Sequence, residues 1–248
     1  MTQLTGKERS KYVARMFDRI SRRYDLLNTI MTLGRHHLWK EKAAKKAVRN
    51  LSGTCLDVAA GTGDLSLALS TRESVSSVVA IDFSREMLNI GSKKAVHNAL
   101  ESKFHPVVGD VHWIPFRTDS FICATIGFGI RNFIDLPRAM AEITRVVKPG
   151  GRIVVFEIVK PDGRFMSKLF PLYYCTITPI LGALFAGERE AYSYLPESVQ
   201  GFMTASELSY QMECCGLENV RISQLALGSM AIVAATVPFP TTTDQISQ

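Results

Sequence analysis

Leu56-Asp57-Val58-Ala59-Ala60-Gly61-Thr62-Gly63-Asp64-Leu65-Ser66, followed by Val78-Val79-Ala80-Ile81-Asp82, decides the fold of this chain. The first stretch reads as a buried strand, Thr54 to Ala60, running into a turn where Gly61 and Gly63 let the backbone approach a ligand closely. A helix begins near Asp64 and carries the chain away. The second stretch is another buried strand tipped by an acid, and Asp82 there is placed to accept hydrogen bonds from both hydroxyls of a ribose. Strand, glycine turn, helix, strand and acid in this order mark a nucleotide-type cofactor site.

The third glycine of the dinucleotide fingerprint is absent, because its position holds Ser66. The pyrophosphate-binding form is therefore not satisfied, which counts against a nicotinamide-dependent dehydrogenase. S-adenosylmethionine has a ribose and no pyrophosphate, so a methyltransferase stands ahead on these residues.

Working outward, apolar runs recur at Thr54 to Ala60, Val78 to Asp82, His105 to Gly109, Ile122 to Phe128 and Arg152 to Val159. Helix-period segments separate them, at Asp64 to Ser70, Ser84 to Asn98 and Asp135 to Val147. This alternation predicts an α/β fold with a parallel sheet covered on both faces. Asp135-Leu136-Pro137 reads as a capped helix start, and Lys148-Pro149-Gly150-Gly151 as its stop. After the fifth strand the regularity breaks. Phe165 to Gly187 is mostly apolar, but Lys168, Pro171 and Pro179 interrupt it between core strands, so it reads as a lid or substrate-lining insertion within 160–203 rather than a membrane span. A helix around Ala205 to Cys214 and an antiparallel pair, Val220 to Leu225 and Met230 to Val237, complete one domain over 1–237. The Thr, Pro, Gln and Ser-rich residues 238–248 read as a disordered tail.

Hydrophobic residues make up 46% of the chain, enough for a sizeable core. The net charge of +6 is concentrated at the front: residues 1–50 hold 13 Lys or Arg against 4 Asp or Glu, leaving the remainder net acidic. Such a basic helical cap suits either a solvated face or an anionic membrane surface. Aromatics for base stacking are sparse in it, which lowers a nucleic-acid reading. The five cysteines show no C-x-x-C spacing, so no disulfide framework or metal site is expected, and His36 and His37 read as polar positions on a basic helix. Lys7, Arg9, Lys11 and Arg15 leave no apolar core for a signal peptide, so the cytoplasm is the expected compartment, with the membrane inner face as a peripheral station.

Four separated segments carry a resemblance over nearly the whole chain. They are Met16-Phe17-Asp18-Arg19-Ile20 through Tyr24-Asp25-Leu26-Leu27-Asn28 to Leu38-Trp39-Lys40; the glycine-rich loop; Phe128-Gly129-Ile130-Arg131-Asn132; and Tyr192-Ser193-Tyr194-Leu195-Pro196-Glu197-Ser198. In these the chain resembles the ubiquinone/menaquinone biosynthesis C-methyltransferases, within the class of S-adenosylmethionine-dependent methyltransferases. The resemblance implies a Rossmann-like seven-stranded sheet of order 3-2-1-4-5-7-6 with the seventh strand antiparallel. It implies S-adenosylmethionine as methyl donor, with Gly61, Thr62 and Gly63 in the loop, Asp82 on the ribose, Asp110 and Val111 beside the adenine, and Gly127 after strand four. It also implies a polyprenyl quinol acceptor, and family members often self-associate.

Two departures stand out. Gly127 replaces a frequent Ser, and Val111-His112-Trp113 replaces the usual Ala-Glu after Asp110. For the chemistry, a quinol carbon becomes nucleophilic when its neighbouring hydroxyl loses a proton, and the fixed charge of Arg131 would stabilise that phenolate. Arg131 is therefore the candidate catalytic residue, with tethering of its own loop as the competing role. Asp25, Glu157 and Glu197 are candidates to take the proton, and Tyr24 and Tyr194 to orient the ring. Naphthoquinol and benzoquinol rings stay equally open. Another small lipid or phenolic acceptor, or a non-catalytic scaffold of methyltransferase form, is the alternative.

Overall fold

The computed structural model describes residues 6–161, 194 and 197–240. The runs of β-branched and small apolar residues form β1 (Gly53–Val58), β2 (Val75–Asp82), β3 (Phe104–Val108), β4 (Phe121–Gly127), β5 (Val147–Ile158), β6 (Glu218–Leu225) and β7 (Met230–Thr236). They make one sheet of order β3-β2-β1-β4-β5-β7-β6, as expected. The first five strands run parallel, and β7 lies antiparallel to both β5 and β6. Six of seven residues in β4 are buried, which is the signature of a central strand covered on both faces.

One face packs Leu56, Ile126, Ile153 and Val155 against α5 (Leu136–Val146) and α6 (Ala205–Cys214). The other packs Cys55, Cys123, Val154 and Phe156 against α2 (Arg35–Ala47) and α3 (Asp64–Ser70). Ala43, Ala44 and Ala47 are fully buried on α2, so small side chains let that helix lie close to the sheet. Asp135 caps α5 through the Arg138 N–H at 3.0 Å, and Thr204 with Glu207 closes a capping box on α6. Ser84 similarly caps α4 (Arg85–His97).

β5 begins earlier than Arg152. Val147 already pairs with Phe121, and a register shift before the Cys123–Arg152 pair absorbs Lys148-Pro149-Gly150-Gly151 within the strand. The turn-forming composition of that stretch thus marks an irregular strand entry, not only a helix stop.

Ahead of the sheet, α1 (Gly6–Thr32) turns one stripe inward, with Val13, Met16, Ile20 and Leu27 buried. It crosses the carboxyl end of the sheet and meets Tyr194. Among the described residues no helix is long and apolar enough to cross a membrane. The apolar stretch Phe165 to Gly187 lies outside the described residues, as do most of the 160–203 insertion and residues 241–248 of the expected tail.

Candidate active site

The order of strands reverses between β1 and β4, so the loops that leave their carboxyl ends face each other across a crevice. Both loops turn sharply. Ala59 (φ 52) and Phe128 (φ 57) take left-handed backbone conformations, which for a residue with a Cβ costs about 1–2 kcal/mol. The loops also touch, since a Cβ on Gly129 would lie 2.6 Å from that of Ala59. Gly63 (φ 77) is pinned likewise, because a Cβ there would meet Phe104 at 3.1 Å and the Gly91 backbone at 3.3 Å.

Between the loops and α1 lies a cavity of about 300 Å³. Gly61, Thr62, Asp82, Asp110, Val111 and Gly127 all line it, whereas Gly63 and Arg131 stand behind its wall. Asp82 is nearly buried, and its two carboxylate oxygens accept from the Gly61 N–H and the Ser84 N–H, each at 2.8 Å. Each oxygen keeps lone pairs for a further donor, so a ribose can be bound without breaking these contacts. Burial pushes the Asp82 carboxyl up to about 6, against the opposing pull of the Ser84 and Gly61 amides. Asp110 is held differently. It accepts from the backbone N–H of His112 at 2.9 Å and pairs with the His112 ring at 2.6 Å, while the amide of Asp135 donates to the other ring nitrogen at 3.3 Å. His112 thereby ties the loop after β3 to the start of α5. Next to it Arg138 stacks on the exposed Trp113, 3.4 Å from the ring centroid. The departure His112-Trp113 is thus a built clamp at the cavity rim.

A network of charges sits beneath the glycine loop. Asp64 pairs with Lys40 at 2.6 Å and also with Lys94; Lys94 reaches Asp25 at 2.7 Å, and Thr62 donates to Asp25 at 2.6 Å. Two ammonium groups hold the Asp64 carboxyl well below the carboxylate range despite its burial. These contacts fasten α1, α2 and α4 to one loop. At the floor, the carboxylate of Asp57 accepts from Ser66 at 2.5 Å and Thr125 at 2.7 Å, and burial pushes it up to about 6.

On the opposite side, Arg131 is buried and forms an ion pair with Glu157 at 2.7 Å while donating to the Phe128 carbonyl at 2.7 Å. Glu157 Oε1 also accepts from the Ile158 N–H at 2.9 Å, and its Oε2 has no partner among the described residues; neither has Arg131 Nε. Burial drives the Glu157 carboxyl upward and the adjoining guanidinium opposes it, while the pair keeps Arg131 charged. The loop that Arg131 braces presents Asn132 and Phe133 to the cavity. Tyr24 lines the facing wall, and burial raises its hydroxyl to about 12 against the lowering field of Arg131, so it is a neutral donor. Tyr194 donates to Asn132 Oδ1 at 2.9 Å. Of the candidates for the proton, Asp25 is engaged in the charge network and Glu197 is exposed on the surface. Tyr192 lies outside the described residues.

His36 departs from expectation. Read as a polar position on a basic helix, it is fully buried, and its Nε2 lies 3.1 Å from the Thr29 hydroxyl, joining α2 to α1. Burial lowers it to about 4. Its ring nitrogens, those of exposed His37 and the Asp64 carboxylate bring ligand-type atoms within 4.8 Å of one another, a grouping the sequence spacing did not single out. Both Asp64 oxygens are committed there to lysine ammonium groups. Lys40 and Asp57 were equally illegible as wall residues, since a helix full of lysines and a buried strand carry no sign of which side chain faces a ligand.

Comparison with known proteins is consistent across levels. The family model described as the ubiE/COQ5 methyltransferase family matches residues 4–237. The chain is 37% identical to a ubiquinone/menaquinone biosynthesis C-methyltransferase UbiE of Geotalea daltonii, with 89% of this chain and 94% of that protein covered. It is 39% identical to a demethylmenaquinone methyltransferase of Thermus thermophilus, covering 88% and 97%. With the mitochondrial 2-methoxy-6-polyprenyl-1,4-benzoquinol methylase of Rattus norvegicus it shares 33% over 92% of this chain and 80% of that one. Among solved structures, a SAM-dependent methyltransferase from Aquifex aeolicus superposes with a TM-score of 0.53 at 20% identity, covering 74% and 81%. The [4+2]-cyclase SpnF superposes with 0.61 at 17%, covering 92% and 96%. The likeness to a cyclase shows that this fold alone does not fix the reaction.

Proposed function

We propose, for a chain that belongs to the ubiE/COQ5 methyltransferase family, that the acceptor is the ring of a polyprenylated quinol and that the cavity at the β1/β4 switch point brings it against the methyl donor. The chain is an S-adenosylmethionine-dependent C-methyltransferase. The observation that carries the proposal is the pairing, in one cavity, of a ribose-type acid, Asp82, with the loop braced by Arg131 and Glu157. The cavity suits the donor. Four aspartates line it, Asp57, Asp64, Asp82 and Asp110, against Lys40 as the one Lys or Arg among the described lining residues, and S-adenosylmethionine is a net cation.

When bound, the donor supplies a methyl group on a positively charged sulfur. Asp82 receives the ribose, Asp110 and Val111 flank the base, and Gly61, Thr62 and Gly127 keep the wall narrow and close to the ligand. On the acceptor side Tyr24 and Asn132 face the ring, with Phe133 beside them. Burial raises the Tyr24 hydroxyl and the field of Arg131 opposes that rise; the same field acts on an acceptor hydroxyl held against Tyr24, offsetting part of the cost of burying the phenolate that activates the neighbouring carbon. Arg131 therefore acts from behind the wall, through charge and by fixing the loop that carries Asn132. Glu157 is fully buried and does not line the cavity, so it serves the site through its ion pair with Arg131 and does not itself touch the acceptor.

A peripheral contact with anionic lipid completes the proposal, because a polyprenyl acceptor is drawn from a bilayer. At the turn between α1 and α2 and the first turn of α2, Leu33 and Leu38 are 87% and 66% exposed, and the neighbouring Arg35 and Lys42 in sequence are exposed as well.

The test is transfer of labelled methyl from S-adenosylmethionine by the purified chain to demethylmenaquinol and, separately, to the demethylated benzoquinol, both in detergent. Label in the lipid extract supports the proposal and assigns the ring. Cofactor binding without transfer to either quinol points to a different acceptor.

A further inference from the structure

We infer that Lys40 holds the α-carboxylate of the donor's amino-acid end and so sets which way that end points, an assignment that rests on S-adenosylmethionine occupying the cavity. Asp82 and Asp110 stand at the ends of β2 and β3, so a nucleoside bound by them lies toward that edge of the sheet. The rest of the ligand must then run the other way, toward the loops after β1 and β4. The wall there consists of Gly61 to Asp64 on one side and Gly127 to Gly129 on the other.

Lys40 enters this end from α2. It is 7% exposed, whereas Lys42 and Lys45 of the same helix are exposed. Its ammonium group lies 2.6 Å from Asp64 and 5.9 Å from the centre of the Phe128 ring, which places it between the two loops. A lysine has three donors, and Asp64 is the one hydrogen-bond partner of this lysine among the described residues. Burying an ammonium group is costly unless it is paired. Asp64 divides its charge between Lys40 and Lys94, and Lys94 has Asp25 in addition. Lys40 has Asp64 as its one ion-pair partner among the described residues, although its charge also reaches Asp57.

The remaining acids make the orientation specific. A carboxylate brought near Asp57 or Asp64 is repelled, and an ammonium group is attracted to both. Lys40 is the one Lys or Arg among the described lining residues, so its ammonium group, on the side away from Asp64, is where a carboxylate finds attraction to set against that repulsion. A zwitterionic amino-acid head therefore fits one way round, carboxylate to Lys40 and ammonium group toward the acids. The competing role for Lys40 is structural, a strut between α2 and the start of α3.

Calorimetric titration of the full chain separates the two roles. S-adenosylhomocysteine carries the amino-acid end and 5′-methylthioadenosine lacks it. In Lys40→Met we expect affinity for S-adenosylhomocysteine to fall by about 10- to 100-fold, the range for loss of a charge-assisted hydrogen bond. Affinity for 5′-methylthioadenosine should stay within about twofold. The unaltered chain gives a second reading that needs no variant: it should bind decarboxylated S-adenosylhomocysteine about 10- to 100-fold more weakly than S-adenosylhomocysteine itself. Equal loss for both nucleosides in the variant, or no preference for the carboxylate in the unaltered chain, overturns the assignment. Failure of S-adenosylhomocysteine to bind the unaltered chain removes the cavity's cofactor role as well. Absence of quinol turnover with the binding pattern intact touches only the acceptor.

Discussion

Arg131 and Glu157 form a buried ion pair, and the proposed mechanism makes that pair matter to both stability and chemistry. Removing one partner of a buried pair strands the other charge, at about 3–5 kcal/mol. Arg131→Ala should therefore lower Tm by on the order of 10 °C as well as abolish turnover, while S-adenosylhomocysteine still binds. The neutral double variant Arg131→Met with Glu157→Gln should regain much of the Tm in a melting experiment and still transfer no methyl. Recovery of turnover in that double variant would show that the charge is not required. Asp82 gives a pH dependence at the same scale. Its carboxyl is raised to about 6 in the fold, so it takes up a proton there before it does so in the unfolded chain. Its stability contribution is full below the ordinary aspartate range and is lost as pH rises through about 6. With Asp82 in its proposed place on the ribose, binding has the opposite sign, because ribose hydroxyls would donate to the ionised form. S-adenosylhomocysteine affinity should weaken as pH falls from about 7.5 to 5.5, and Asp82→Asn should flatten that slope in calorimetry. An unchanged slope in the variant would place the titration elsewhere, with Asp57 as the next group to alter.

At the scale of elements, the reading of the sequence succeeded where local chemistry and periodicity agreed. The boundaries of α3 and α6, the acid at the tip of β2 and the terminal β6–β7 pair were all visible, because glycine turns, caps and apolar runs each announce a backbone state. The entry to β5 was not, since Pro149 and Gly150 look alike in a turn and in a bulged strand until a neighbour supplies the register. Nor was the burial of His36, or the position of Arg131 behind the wall. Both depend on how α1 and the loop after β4 lie against the sheet, which no spacing within one segment encodes. The turn between α1 and α2 carries its own expectation. Vesicles of phosphatidylglycerol with phosphatidylcholine should float the protein at low ionic strength and lose it in high salt. Leu33→Glu with Leu38→Glu should reduce flotation even at low salt. A variant that floats like the parent would move the lipid contact off this turn.

For the whole molecule, the sheet order and the cap formed by α1 together place an acid at the ribose position, a lysine at the glycine loop and a braced arginine around one cavity. In the proposed mechanism the charge of Arg131 stabilises the acceptor oxygen as an anion and the ring carbon takes the methyl group. The decisive measurement is the site of the new methyl group, read by carbon-13 magnetic resonance after turnover with carbon-13 methyl-labelled S-adenosylmethionine and the quinol. The expected result is a label bonded to a ring carbon, with both ring hydroxyls still free. A methoxy signal, or no label in the quinol while the donor is bound, would contradict it.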